Sequence, residues 1–179
     1  GSYSTQPSDP LNRITELKQT IDSLHQSGLR VIMDVVYNHV FDAGTHSFEQ
    51  LVPGYFFRKN PDGSLGNGTG VGNEVASERP MARKFIVDSI KYWTAEYNLD
   101  GFRFDLMGIH DVTTMNQVRA TLDKIDPTIL VIGEGWNMGN LLAADQKANQ
   151  LNAYKMPRIS HFNDGIRDGV KGSVFEAAQ

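Results

Sequence analysis

Apolar residues recur at helix-like and strand-like spacings in three successive units of the chain. In the first unit they stand three or four positions apart, at Ile14, Leu17, Ile21 and Leu24. This spacing marks one face of a helix and predicts a helix over residues 11–27. The nearly continuous apolar run over residues 29–36 is typical of a strand that is buried on both faces.

The second and third units repeat the order of a helix and then a strand. A helix is predicted from Pro80 to Tyr97 and a strand over residues 101–106. They are followed by a predicted helix over residues 112–125 and a strand over residues 129–132. Helices that alternate with buried strands are typical of right-handed βαβ units, so the pattern predicts an α/β protein with a parallel sheet.

One long segment, residues 41–79, has no sustained hydrophobic period. Its glycines are Gly44, Gly54, Gly63, Gly66, Gly68, Gly70 and Gly72. A connection of this length inside a compact domain is usually functional. The alternatives are a loose surface insertion and a structured binding loop. We favour the binding loop because Tyr55, Phe56, Phe57 and Arg58 supply flat apolar and hydrogen-bonding surface beside the glycines.

The composition excludes several classes of function. A net charge of −4 offers no basic surface for nucleic acid or for an anionic membrane. No apolar run is long enough to predict membrane insertion. Because the chain has no cysteine, disulfides and thiolate metal sites are excluded as well. A neutral polar substrate is compatible with this charge.

Ionisable residues stand near the ends of the predicted strands, where parallel α/β folds bind ligands. Side chains alternate along a strand, so Arg103 and Asp105 are predicted to share one face. Arg103 would keep Asp105 ionised and oriented, as a carboxylate nucleophile requires. Glu134 follows the third strand beside Trp136, and aromatic surface favours the protonated form of a carboxyl group. The alternative for Glu134 is a cap on the next helix.

These strand ends resemble a known family. Residues 34–39, 101–105 and 133–136 resemble the first three motifs of the α-amylase superfamily (glycoside hydrolase family 13), in the same order. The resemblance to the type I pullulanases in particular lies in residues 67–74, 76–80 and 162–168. The resemblance implies a partial (β/α)8 TIM barrel, about strands three to five with their helices. Residues 1–179 would then be a fragment of one catalytic (β/α)-barrel domain, with a long glycine-rich βα loop at about 41–79.

The catalytic roles follow from the resemblance position by position. It makes Asp105 the nucleophile, and Glu134 the acid that protonates the glycosidic oxygen and then the base that activates water. Arg103 is expected to orient Asp105, and His39 to hydrogen-bond the sugar at the cleavage point. The other substrate-binding residues that it implies are Asp34, Asn38, Tyr37, Trp136, Met107 and His110.

These six residues have different expected places. Asp34 and Asn38 are expected to shape the floor beneath the sugar. Tyr37 and Trp136 are candidates for sugar contact, with simple packing as the alternative. Met107 and His110 follow the nucleophile and are expected to line the leaving-group side.

The implied activity is that of a retaining glycoside hydrolase that debranches α-glucans at α-1,6 links. The substrates would be pullulan, limit dextrin, amylopectin and glycogen. The alternatives are a related hydrolase acting on α-1,4 links or glycogen, and a noncatalytic glucan-binding fragment. The superfamily's fourth motif, with a further Asp, has no match here, so the isolated chain is expected to be inactive. No cofactor is required, Ca²⁺ in the parent protein is left open, and an extracellular or cell-surface location is implied.

Overall fold

A sheet of four parallel strands forms the centre of the computed structural model, which describes residues 3–172. The strands lie in chain order: β1 (Ile32–Val35), β2 (Gly101–Phe104), β3 (Leu130–Gly133) and β4 (Ser160–His161). Asp34 pairs with Arg103, which in turn pairs with Ile132, so the three longer strands are in close register. The predicted domain range of 1–179 extends past the described residues at both ends.

Five α-helices occur among the described residues: α1 (Pro10–Gln26), α2 (Ser47–Leu51), α3 (Pro80–Tyr97), α4 (Val112–Ile125) and α5 (Asp164–Lys171). Local capping explains where the long ones begin. The Asp9 carboxylate accepts from the Leu11 N–H, and the Asp111 carboxylate accepts from the Thr114 N–H. Pro80 occupies the first turn of α3, where its missing N–H costs nothing. No helix in this range is long and apolar enough to cross a membrane.

One face of the sheet packs on helices and the other is open. Phe102 and Phe104 of β2 are fully buried against residues of α3 and α4, including Ile90 and Met115. Arg103, between the two phenylalanines, points to the opposite face, where its side chain is 23% exposed. The α/β class and the parallel sheet predicted from the sequence are therefore confirmed, and the charged side chains lie on the open face.

Two details of the predicted sheet are wrong. Ser160–His161 forms a fourth strand that was not predicted, because two residues are too short to show a hydrophobic period. β1 is not buried on both faces, since Ile32 is 38% exposed. Within the described residues β1 pairs only with β2, so its outer edge has no strand partner there.

The segment over residues 41–79 is structured, and its role as a binding loop stays a prediction. It contains α2 and several isolated antiparallel bridges, and Phe57 is fully buried in a small apolar cluster with Ala43 and Val75. Its Arg58 and Glu74 side chains form a buried ion pair. The glycine-rich segment therefore packs as a second layer beside the carboxyl ends of the strands.

Candidate active site

The three predicted strand-end carboxylates come together on the open face of the sheet. Asp34 lies in β1, Asp105 directly follows β2, and Glu134 directly follows β3. The parallel register pairs Asp34 with Arg103 and Phe104 with Gly133, so Asp105 and Glu134 leave neighbouring strands side by side, at the end of the sheet where barrel enzymes bind their substrates.

Arg103 contacts all three carboxylates. Its Nη1 lies 2.8 Å from Asp34 Oδ1 and 2.9 Å from Asp105 Oδ1, and its Nη2 lies 2.7 Å from Glu134 Oε1. Burial lowers the pKa of Arg103, but its hydrogen bonds to Asp34 and Asp105 outweigh burial and leave that pKa above its usual value. Arg103 is thus a fixed positive charge that holds Asp105 and Glu134 near one another.

Asp105 is oriented by a second donor. The fully buried Asn38 donates through Nδ2 to Asp105 Oδ2 at 3.0 Å and to the Asp105 backbone carbonyl at 2.8 Å. His39 stands behind it, with Nδ1 at 2.5 Å from Asn38 Oδ1. One carboxylate oxygen therefore faces Arg103 and the other faces Asn38, which fixes the carboxylate plane.

Glu134 is bonded to the turn after Asp105. Its Oε2 accepts from the Leu106 N–H at 3.1 Å, while Oε1 faces Arg103. This excludes the helix-cap alternative, because both partners lie on the β2 segment and not on a following helix. The Glu134 carboxylate therefore contacts a guanidinium and a backbone N–H. From the sequence, only the neighbouring Trp136 side chain was expected to influence it.

An open depression of about 480 Å³ adjoins Arg103 and Glu134. It is lined by Arg103, Glu134, Trp136, Phe162, Asn163, Asp164 and Arg167. The Phe162 ring lies 5.8 Å from the Arg103 guanidinium carbon and supplies a flat apolar surface. Trp136 lines the same depression as Glu134, and sugar contact by Trp136 stays a prediction.

Two of the predicted substrate contacts, Met107 and His110, are wrong, and Tyr37 shows the packing that was its alternative. The Tyr37 hydroxyl lies 2.6 Å from Ser89 Oγ, and its ring packs on Phe85 and Phe104 between the sheet and α3. Met107 and His110 have no exposed surface and cannot touch a sugar.

The backbone after Asp105 explains the burial of Met107 and His110. Leu106 takes a left-handed conformation with a φ of 39°, which directs Met107–Ile109 into a 3-10 turn beneath the site. Burial and, to a smaller extent, the positive charge of Arg58 together lower the pKa of His110 to about 4. His110 is therefore neutral at pH 7.

Two residues outside the predicted site contact the turn after Asp105. Asn140 donates through Nδ2 to the Gly108 and Ile109 carbonyls, and Arg58 donates to the Ile109 carbonyl. Asn140 lies in an irregular segment after β3, where no periodicity could have identified it. Arg58 had a usable signal, a cationic residue placed directly after three aromatic residues in a glycine-rich loop.

Comparison with known proteins adds a chemical context to this geometry. The chain is 55% identical over 175 residues to the pullulanase of Bacillus subtilis strain 168, covering 98% of this chain and 24% of that protein. The crystal structure of Bacillus subtilis type I pullulanase, complexed with maltose, matches 98% of the chain with a TM-score of 0.96 and 55% identity. The chain is a homologue of type I pullulanases. It spans about a quarter of the length of the curated relative that it matches.

A further solved pullulanase shows the same likeness. The enzyme from Anoxybacillus sp. LM18-11, complexed with maltotetraose, is 57% identical with a TM-score of 0.96, over 98% of this chain and 26% of that one. No protein-family model matches the chain. Within residues 3–172, no group of three or more His, Cys, Asp or Glu side chains is arranged to hold a metal ion.

Proposed function

We propose that this chain supplies the nucleophile and the acid–base group of a retaining glycoside hydrolase that cleaves α-1,6-glucosidic links. The observation that carries the proposal is the Arg103 guanidinium, which faces Asp105 through Nη1 and Glu134 through Nη2. One guanidinium reaches both groups only when they are close, and retaining glycosidases need their carboxyl groups about 5–5.5 Å apart.

The proposed reaction assigns each side chain a step. Asp105 attacks the anomeric carbon and forms a covalent glycosyl–enzyme intermediate, while Glu134 gives a proton to the departing glycosidic oxygen. Glu134 then takes a proton from the water that releases the sugar. Arg103 and Asn38 keep the Asp105 carboxylate aligned, because each donates to one of its oxygens.

The proposed substrates are pullulan and branched α-glucans: limit dextrin, amylopectin and glycogen. Support comes from the homologous pullulanases crystallised with maltotetraose and with maltose, which are α-glucan pieces. No cofactor is part of the proposed chemistry, since both reacting groups are side chains. Calcium in a longer protein and an extracellular or cell-surface location stay predictions of the resemblance.

We further propose that turnover belongs to a longer protein and not to this chain alone. Three observations support this: the open sheet face, the exposed Ile32 on edge strand β1, and the chain's coverage of 24% of its Bacillus subtilis relative. A closed eight-stranded barrel takes about 250 residues. Hydrolysis by the isolated chain would contradict this part of the proposal.

The test is a full-length chimera in which this chain replaces the homologous segment of the Bacillus subtilis pullulanase. We expect the chimera to release maltotriose from pullulan, and its Asp105→Asn variant to release none. A folded chimera that cleaves amylose but not pullulan would refute the α-1,6 assignment. Activity that survives Asp105→Asn would refute the catalytic assignment.

A further inference from the structure

The turn that follows Asp105, residues 106–109, is hydrogen-bonded on one side to Glu134. The Leu106 N–H donates to Glu134 Oε2 at 3.1 Å, and the Gly108 N–H donates to the Glu134 backbone carbonyl at 3.1 Å. Asp105 leads directly into this turn. The position of the turn therefore sets where Glu134 lies relative to Asp105.

On its other side the same turn is held by Asn140. The Asn140 Nδ2 donates to the carbonyls of Gly108 and Ile109, each at 3.1 Å, and the residue is only 6% exposed. Its Oδ1 is buried and has no hydrogen-bond partner among the described residues. The amide N–H₂ group is thus the polar part of Asn140 that acts on the turn.

The glycine-rich segment supports this arrangement from behind. A Cβ added to Gly68 would lie 2.6 Å from the Asn140 Cα, so the bare backbone of Gly68 packs directly on Asn140. The Gly68 N–H donates to the fully buried Glu74 at 2.7 Å, and Glu74 is paired with Arg58. Arg58 in turn donates to the Ile109 carbonyl at 3.2 Å. The segment therefore packs on Asn140 through Gly68 and contacts the turn directly through Arg58.

We propose that Asn140 is a positioning residue for the glycosidase chemistry, acting through its two hydrogen bonds to the turn that connects Asp105 with Glu134. The inference rests on the proposed function of that pair. Asn140 does not need to touch substrate for this role. A displacement of about 1 Å in a reacting group can cost about a hundredfold in rate. Loss of the Asn140 donor should therefore lower kcat and leave KM nearly unchanged.

Two substitutions in the full-length chimera test this role with pullulan as the substrate. Asn140→Asp keeps the shape of the side chain, but its ionised carboxylate would face two carbonyl oxygens and donate to neither. Asn140→Ala removes both bonds without adding a charge. We expect each variant to lower kcat by about tenfold to a hundredfold at neutral pH, with KM within about twofold.

The pH dependence separates positioning from a loss of packing. A protonated carboxyl can donate one hydrogen bond to the turn. The kcat of Asn140→Asp, divided by that of the unsubstituted chimera, should therefore recover as pH is lowered. The corresponding ratio for Asn140→Ala should stay flat. If the Asp variant does not fold, the kcat and KM values of the Ala variant decide the matter.

The chain offers a matched control in Asn152. It is also 6% exposed, and its Nδ2 donates to the carbonyls of Ala144 and Lys147 at 2.7 and 2.9 Å, away from the turn. Asn152→Asp should lower the melting temperature and leave kcat within about twofold. Equal kcat losses in Asn140→Asp and Asn152→Asp, or an effect on KM alone, would overturn the positioning role. An inactive unsubstituted chimera would instead overturn the proposed function itself.

Discussion

Arg103 contacts three carboxylates. Replacing it with lysine should break some of these contacts while keeping the positive charge. The guanidinium uses two nitrogens, at 2.8 and 2.9 Å from Asp34 and Asp105 and at 2.7 Å from Glu134. Lysine carries one compact ammonium group and cannot span this fork. We expect Arg103→Lys to lose its contact with either Asp105 or Glu134.

The size of the effect follows from the number and exposure of these bonds. A hydrogen bond to a charged group contributes about 1.5–3 kcal/mol. The Arg103 side chain is 23% exposed, so solvent screening favours the lower part of that range, about 1.5–2 kcal/mol. If that energy is lost in the transition state, kcat should fall by about 10- to 30-fold. The assay is reducing-sugar release from pullulan by the full-length chimera.

A matched control is Arg119→Lys on α4. Arg119 is 5% exposed, and it donates to Asp123 at 2.9 Å and to the Ile129 carbonyl at 2.6 Å, on the helix side of the sheet. Its substitution should lower the melting temperature without changing kcat. If Arg103→Lys keeps kcat within about twofold of the chimera, Arg103 does not organise the reacting carboxylates and the reasoning fails.

Three further predictions concern the acid, the buried histidine and the isolated chain. Glu134→Gln should lower kcat/KM, which reports the first and acid-assisted step, by about 10²–10⁴-fold on pullulan but much less on an aryl glycoside whose leaving group needs no proton; equal losses of kcat/KM on both substrates would count against the acid role. His110→Phe should flatten the rise of unfolding free energy between about pH 4 and 6.5 in chemical denaturation of the chimera. The isolated chain should self-associate in size-exclusion chromatography, because β1 is an unpaired edge with exposed Ile32 and Val36; a stable monomer would contradict this.

The direction of the histidine effect follows from proton linkage. Burial lowers the folded-state pKa of His110 to about 4, below its ordinary value of 6.5. The unfolded chain then binds more protons between these values, so stability is full above pH 6.5 and is lost as pH falls toward 4. The contribution is roughly 3 kcal/mol. A His110→Phe variant with an unchanged pH slope would show that His110 is not the group responsible.

Strand periodicity carried much of the prediction and also exposes an avoidable error. The alternation that placed Arg103 and Asp105 on one face is present in the sheet. The same rule applied from the buried Val35 places Tyr37 on the helix side, where it is found. The alternation of side chains along β1 therefore favours the packing alternative for Tyr37, and this could have been predicted from the sequence.

Other features have no signal in a single sequence. The left-handed Leu106 breaks the strand alternation, and few residues other than glycine adopt that conformation, so the burial of Met107 and His110 could not be expected. Asn140 contacts Gly108 of the turn and Gly68 of the glycine-rich segment, and both are far from it in sequence. Such contacts leave no local pattern in the sequence. Strand β4 has two residues, fewer than any periodicity can identify.

The most direct test of the central claim is chemical labelling of the nucleophile. A fluorinated glycosyl fluoride, which forms the glycosyl–enzyme intermediate faster than it is hydrolysed, would be incubated with the full-length chimera. Peptide mapping by mass spectrometry would then locate the sugar. We predict one glycosyl adduct on the peptide that contains Asp105, and none in the Asp105→Asn variant. An adduct on Glu134, or active enzyme with no adduct on Asp105, would contradict the account.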